Sequence, residues 1–247
     1  MANTTTLVKT IWPDALALSH AVANLIVTES NKAIQQKDYF TIALSGGSTP
    51  KLLFELLAQP PYKNNIPWKK IIVAFGDERF VAPTSDESNY KMASKALLQH
   101  VAIPKKNILG IQTVKVTPAQ SAVLYEAAIK KHISNKHPFD LVLLGIGEEG
   151  HTASIFPESP LMTDKKNWVK NVWVAEKNMD RISFTMPFIN QAKNIAFLVS
   201  GANKAAIVKK IFSKSGAALP AAMVKAKENT FWFLDEAAVG LATNDTN

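Results

Sequence analysis

The chain has 247 residues, 19% charged and 47% hydrophobic, a balance that suits a globular protein with a sizeable core and leaves no apolar stretch long enough to span a bilayer. It holds no cysteine, which excludes disulfides, thiolate metal sites and cysteine nucleophiles. The formal net charge of +8 comes mainly from lysines scattered in pairs such as Lys69-Lys70 and Lys209-Lys210, with no basic block or nucleic-acid module, so it reads as a lysine-rich solvated surface or a general bias toward small anions rather than nucleic-acid binding.

Met1 to Lys9 carries no basic segment followed by an apolar one, so no secretory leader is expected and the cytoplasm is the default. Residues 13 to about 36 predict a long amphipathic helix, with Pro13 in its first turn and Leu18, Val22, Leu25 and Ile26 on one face. Tyr39 to Leu44 predicts a strand that enters Ser45-Gly46-Gly47-Ser48-Thr49-Pro50 and then a helix over Lys51 to Leu57. Pro50 suits the first helical position, with Thr49 or Ser48 as its cap. The two glycines let backbone N–H groups converge on one point, where the helix start adds partial positive charge suited to phosphate. A capped turn without a ligand is the plainer alternative.

Trp68 to Phe75 predicts the second strand, running into Gly76-Asp77-Glu78-Arg79-Phe80-Val81. Asp77 and Arg79 either belong to a solvated loop or line the same crevice as the glycine loop, where a guanidinium can hold a phosphate or carboxylate. Asp86-Glu87-Ser88-Asn89-Tyr90 caps a helix reaching about His100, whose ring then meets the terminal carbonyls. Ile108 to Ile111 predicts a short strand, and Thr117-Pro118 opens a helix to about Ser134.

The apolar run Asp140 to Leu144 predicts a buried strand, followed by Gly145-Ile146-Gly147-Glu148-Glu149-Gly150-His151. Ligands in open α/β sheets sit beyond the carboxyl ends of the strands, so His151 is placed to act as a general base. Gly147 and Gly150 would keep the loop backbone close to a substrate. A hydrogen-bonded loop histidine is the alternative. Gly145-x-Gly147-x-x-Gly150 also matches a dinucleotide fingerprint, but Pro157 and Pro160 cut off the crossover helix that fingerprint needs.

Asn171 to Glu176 and Ile182 to Met186 predict two more strands, with the Arg181 region in a small appended antiparallel layer. Asn194 to Val199 predicts a strand ending in Ser200-Gly201-Ala202-Asn203-Lys204, then a helix to about Phe212. Lys204 on a first helical turn suits the helix dipole only if an anion sits beside it. Leu219 to Met223 predicts a helical turn, Thr230 to Leu234 the last strand, and Asp235 the cap of a closing helix; the tail after Ala242 is polar and expected to be loose. The alternation of strands and helices predicts one α/β domain over residues 1–247 with a largely parallel sheet.

These residues carry a resemblance. The chain is similar to the 6-phosphogluconolactonase branch of the glucosamine/galactosamine-6-phosphate isomerase superfamily. It shares Ser45 to Pro50, Gly76 to Val81, Asp86 to Tyr90, Leu144 to Pro157, Arg181-Ile-Ser, Gly201 to Lys204 and Pro220-Ala221, in the family's order. Gly150-His151-Thr152-Ala153-Ser154 followed by Ile, Phe and Pro separates the lactonases from the related deaminases. Two positions depart from the pattern: Glu149 stands where Asp is common, and Glu158 where a Gly usually follows the Pro.

The resemblance implies a three-layer α/β/α fold, no metal or cofactor, and 6-phospho-D-glucono-1,5-lactone as a small sugar-phosphate substrate. Composition speaks against nucleic acid or membrane as partner, and a monomer is expected. His151 would activate water. Loop amides at Gly147 to Gly150 and a cation, with Arg79 leading and Arg181 second, would meet the oxyanion. The phosphate would lie on Ser45, Gly46, Gly47, Ser48 and Thr49 with Lys204. Asp77 would orient Arg79 or a sugar hydroxyl. The rivals are an amino-sugar-phosphate deaminase with Asp77 as its base, and a sugar-phosphate sensor without catalysis.

Overall fold

The computed structural model describes residues 5–241, so the polar tail after Ala242 lies outside the described residues. The chain opens with strand β1 (Thr6–Trp12) and helix α1 (Ala15–Lys37). Asp14 caps α1 by accepting the Ala17 N–H at 2.7 Å. Strand β2 (Phe40–Leu44), helices α2 (Ser48–Leu57) and α3 (Tyr62–Asn65), and strands β3 (Ile71–Phe75) and β4 (Asp77–Arg79) follow. Next come α4 (Asn89–Ala93), continued by a π turn over Ser94–Leu98, then α5 (Pro118–Ile129) and β5 (Leu141–Leu144). The second half holds β6 (Val169–Val174), β7 (Met179–Phe184), α6 (Met186–Ile189), β8 (Asn194–Val199), α7 (Ala205–Ile211), α8 (Pro220–Met223) and β9 (Asn229–Asp235).

Six strands form one parallel sheet in the order β1-β9-β8-β5-β2-β3. Helices cover it in a three-layer α/β arrangement, and β4-β7-β6 make a separate antiparallel sheet. Strands β2, β3, β5 and β8 are buried along their whole length, as continuous aliphatic runs must be when both faces of a sheet are covered. Each fully buried Leu, Ile, Val or Phe there contributes about 1.5–3 kcal/mol, which makes the central strands the rigid part of the molecule.

The topology fixes where a ligand can bind. From β2 the chain winds outward to β3, then returns past β2 to β5 and winds the other way through β8 to β9. The winding reverses between β2 and β5, and the loops leaving their carboxyl ends diverge there into a crevice. Gly76 alone separates β3 from β4; it donates to the Leu44 carbonyl and its own carbonyl accepts from Phe184, so the second sheet is anchored at the rim of that crevice. Tyr125 of α5 reinforces the corner, its hydroxyl donating to the Phe75 carbonyl at 2.9 Å and accepting the Phe75 N–H at 2.7 Å.

Several expectations shift. Strand β1 was not anticipated: it is an edge strand paired only with β9, and its exposed alternation lacks the apolar run that marks a central strand. Ile108 to Ile111 makes a single bridge, Ile108 to Val73, instead of a strand. Helix α2 starts at Ser48, with Gly47 as N-cap and no side-chain cap, so Pro50 occupies the third helical position. The closing helix is one 3₁₀ turn over Ala237–Val239 with Glu236 at its N-cap position, and Asp235, one residue earlier, accepts the Ala238 N–H. His100 meets a helix carbonyl as expected, at 2.8 Å from the Lys95 oxygen.

Candidate active site

The crevice at the β2/β5 reversal is lined by Ser45, Gly46 and Gly47 from the end of β2, Asp77 and Arg79 from β4, and Arg181 from β7. Asn89 at the start of α4 joins them, with Gly145, Ile146, Gly147, His151 and Ala153 from the loop after β5. No crossover helix follows Gly150; residues 145–159 form an irregular loop pinned by a Thr152–Ile155 bridge, which removes the dinucleotide reading.

His151 is held from three sides. Its Nδ1 lies 2.9 Å from Glu149 Oε2, so that nitrogen carries the hydrogen and Nε2 presents its lone pair. The ring stacks on Phe156 with centroids 4.1 Å apart. Gly147 lies under it so closely that a Cβ there would sit 1.9 Å from His151 Cε1. Gly147→Ala is therefore expected to push the imidazole out of place and lower kcat about 100-fold with little change in thermal stability, measured by steady-state kinetics beside a melting curve.

Burial pushes the His151 imidazole below its ordinary value, while the Glu149 and Asp77 carboxylates pull it back up and Arg181 pushes it down. The free base thus persists to a pH lower than that of an ordinary histidine. Activity that needs this base should fall on the acid side only below about pH 6.5. Glu149→Gln removes one of the groups that raise the pKa, so the acid limb of kcat/KM should move further down while kcat at neutral pH also drops. An acid limb moving upward would contradict the pairing.

The loop spends amides that were expected to be free. Gly147 N–H donates to the His151 carbonyl at 2.9 Å, and Gly150 N–H to the Gly147 carbonyl at 3.0 Å, so neither faces an oxyanion. Gly150 has φ +83° and packs on Leu219, its carbonyl accepting from Ala221; it shapes the loop from behind rather than lining the crevice. That contact gives the Pro220-Ala221 motif its structural reason.

Asp77 is buried, and both its oxygens are engaged. Oδ2 accepts from the Ser154 hydroxyl at 2.7 Å and lies 3.7 Å from Arg181 Nη1; Oδ1 lies 3.4 Å from Asn89 Nδ2. The carboxylate therefore pairs with Arg181 and not with Arg79, whose guanidinium instead donates to the Glu87 carbonyl. Arg79 and Arg181 stand directly opposite each other in the β4–β7 register, and each Nε is buried without an acceptor. Burial and the neighbouring Arg79 charge lower the Arg181 pKa. Two like charges across a strand pair are unfavourable unless an anion sits with them, and on the Arg181 side the Asp77 carboxylate supplies that charge.

Glu78, which sequence reasoning passed over, is the hidden support of this wall. Its carboxylate accepts the N–H groups of Arg79, Asn89 and Tyr90 at 2.7–2.8 Å and the Ser88 hydroxyl at 3.0 Å. Burial pushes its carboxyl up from the ordinary value, and these four donors pull it back.

On the opposite side, Gly47 takes φ +111° at the N-terminus of α2, a conformation natural to glycine, and with Gly46 brings main chain to the crevice. Ser48 forms the first residue of α2 and Thr49 Oγ1 pairs with Ser200 Oγ at 2.7 Å; neither lines the crevice. Lys204 ends a 3₁₀ turn before α7 and is not among the residues lining the crevice. The turn is tied in by Asp235, which accepts the Gly201 N–H at 3.0 Å, and by Asn203 reaching Glu148 at 3.4 Å. Among the described residues no three His, Cys, Asp or Glu side chains gather in a way that could hold a metal ion.

A family model described as glucosamine-6-phosphate isomerases/6-phosphogluconolactonase matches residues 13–232. The chain belongs to this family. A 6-phosphogluconolactonase of a Nostoc species is 40% identical over 237 residues, covering 92% of this chain and 95% of the relative. One from Haemophilus influenzae is 43% identical over 203 residues, covering 81% and 86%. The crystal structure of a 6-phosphogluconolactonase from Thermotoga maritima superposes with a TM-score of 0.82 at 29% identity, covering 93% of this chain and all of that one.

The two departures from the family pattern now have physical content. Glu149, one methylene longer than Asp, still reaches His151 Nδ1. Glu158 has φ +65°, the left-handed region that glycine enters freely and that costs other residues roughly 1–2 kcal/mol. Asn89, Gly145, Ile146 and Ala153 are crevice residues that the sequence did not single out. Asn89 belongs to a shared motif that the sequence presents only as a helix cap.

Proposed function

We propose that the chain hydrolyses 6-phospho-D-glucono-1,5-lactone to 6-phospho-D-gluconate in the oxidative pentose phosphate route. The observation that carries this reading is His151 with Nδ1 anchored on Glu149, its ring lining a crevice shared with the Gly46-Gly47 backbone and two guanidinium groups. Nε2 takes a proton from water as the oxygen attacks the lactone carbonyl. The ring C–O bond then breaks, and the imidazolium returns that proton to the departing ring oxygen, leaving a carboxylic acid that ionises.

The cation for the developing oxyanion is better assigned to Arg181 than to Arg79. Both guanidiniums line the crevice, but Asp77 holds Arg181 there while Arg79 is drawn to the Glu87 carbonyl. Arg79 then extends the anion field. The phosphate is assigned to the amides of the Ser45–Thr49 turn and the start of α2, with Lys204 from the turn after β8 as its cation. We assign one lactonase domain to the chain, acting as a cytoplasmic monomer; light scattering of the eluted protein checks the last point.

A deaminase would need Asp77 as a mobile base, and that carboxylate is held by Ser154, Asn89 and Arg181. The test is lactone disappearance, corrected for spontaneous hydrolysis, run beside ammonia release from glucosamine 6-phosphate. Accelerated lactone loss without ammonia is the expected outcome. Ammonia release, or tight binding of 6-phosphogluconate with no turnover of the lactone, would overturn the proposal.

A further inference from the structure

We infer that Asn89 Oδ1 accepts a hydrogen bond from one ring hydroxyl of the substrate, which makes Asn89 a specificity residue of this site; the inference rests on the lactonase reading. Asn89 is 2% exposed, yet it lines the crevice. Its backbone is fixed by the N–H bond to Glu78 Oε1 at 2.7 Å.

The orientation of its amide follows from chemistry. One end meets the Asp77 carbonyl at 3.0 Å and Asp77 Oδ1 at 3.4 Å. Both partners are acceptors only, so that end must be the NH₂ group and the other the oxygen. Rotating the amide would place three oxygens together. The oxygen is therefore directed at Gly46, where an added Cβ would lie 2.0 Å from it, against 2.9 Å from Nδ2. Gly46 lines the same crevice, and the absent side chain leaves room for the Asn89 carbonyl at the wall.

An amide oxygen facing a ligand discriminates by sign. It repels phosphate oxygens and a developing oxyanion, and it attracts O–H donors. The crevice thus has a donor side, Arg79 and Arg181, and an acceptor side, Asn89 Oδ1 with the Asp77 carboxylate beside it. A phosphorylated polyol lactone carries both complements: anionic or carbonyl oxygens for the first, ring hydroxyls for the second. Gly46 is part of the turn to which the phosphate is assigned, so the hydroxyl read by Asn89 is one held near that turn.

The test compares the parent lactone with its 2-, 3- and 4-deoxy analogues in wild type, Asn89→Ala and Asn89→Ser. In wild type one analogue should lose kcat/KM by roughly tenfold, the worth of one buried hydrogen bond. In both variants that penalty should vanish, because parent and analogue then lack the contact alike. A merely structural role for Asn89 would slow all four lactones by the same factor and keep the wild-type penalty, which would overturn the inference. Should the variants not fold, a crystal structure of wild type with 6-phosphogluconate decides: a hydroxyl within about 3.2 Å of Asn89 Oδ1 supports the assignment, and none there overturns it. Wild type that hydrolyses none of the lactones overturns the lactonase reading itself, whereas turnover without the coupling removes only the role of Asn89.

Discussion

His151→Ala should lower kcat by about three orders of magnitude while leaving the affinity for 6-phosphogluconate within a few-fold of wild type, since general base catalysis contributes about 10²–10⁴. The imidazole makes no contact on which the wall depends: its fixed partners are Glu149 and Phe156, both in its own loop. Removing the ring takes away the proton acceptor without disturbing Arg79, Arg181 or the Gly46-Gly47 backbone. Lys204→Ala should do the converse, weakening binding about tenfold with kcat largely retained, because a cation assigned to the far phosphate and outside the crevice lining would act in ground state and transition state alike. Kinetics read kcat and KM, and calorimetry with 6-phosphogluconate reads affinity. Equal loss of affinity in the two variants would contradict the division between chemical and anchoring ends.

How much of this was legible beforehand follows from the range of the interactions. The central strands announce themselves as apolar runs because both faces of a parallel sheet are covered, and the strand-end motifs then point to one crevice. His151, Arg79 and Asp77 were readable for that reason and Arg181 only through the family resemblance, and the structure brings all four together. Their partners were not. The Asp77–Arg181 pair joins residues on different strands whose register no local pattern encodes. The closed turn that uses up the Gly147 and Gly150 amides depends on where the His151 carbonyl points, which spacing alone does not specify. Strand β1 was invisible because an edge strand has no need of the apolar alternation that reveals a half-buried one.

Glu78 shows the same limit in a buried group, and it carries the largest expected effect on stability. Glu78→Leu should cost about 4 kcal/mol and lower Tm by about 10 °C, since each buried donor left unpaired costs roughly 1–3 kcal/mol. Two effects oppose each other here. Burying a carboxylate is unfavourable, as its raised pKa records, and an apolar replacement removes that cost. The replacement also strands the N–H groups of Arg79 at the end of β4 and of Asn89 and Tyr90 at the start of α4, main-chain donors that cannot rotate toward water. Three stranded donors outweigh one relieved charge. Glu78→Gln separates the terms: its oxygen can keep Arg79 and Asn89, while its NH₂ group opposes the Tyr90 N–H, so about 2 kcal/mol should be lost. The KM for the lactone should rise in both variants, because Arg79 and Asn89 are the crevice residues that Glu78 positions. Urea or thermal melts that rank the variants in the order wild type, Gln, Leu support this account. A Gln variant as stable as wild type would mean that the hydrogen bonds to Glu78 do not hold the wall.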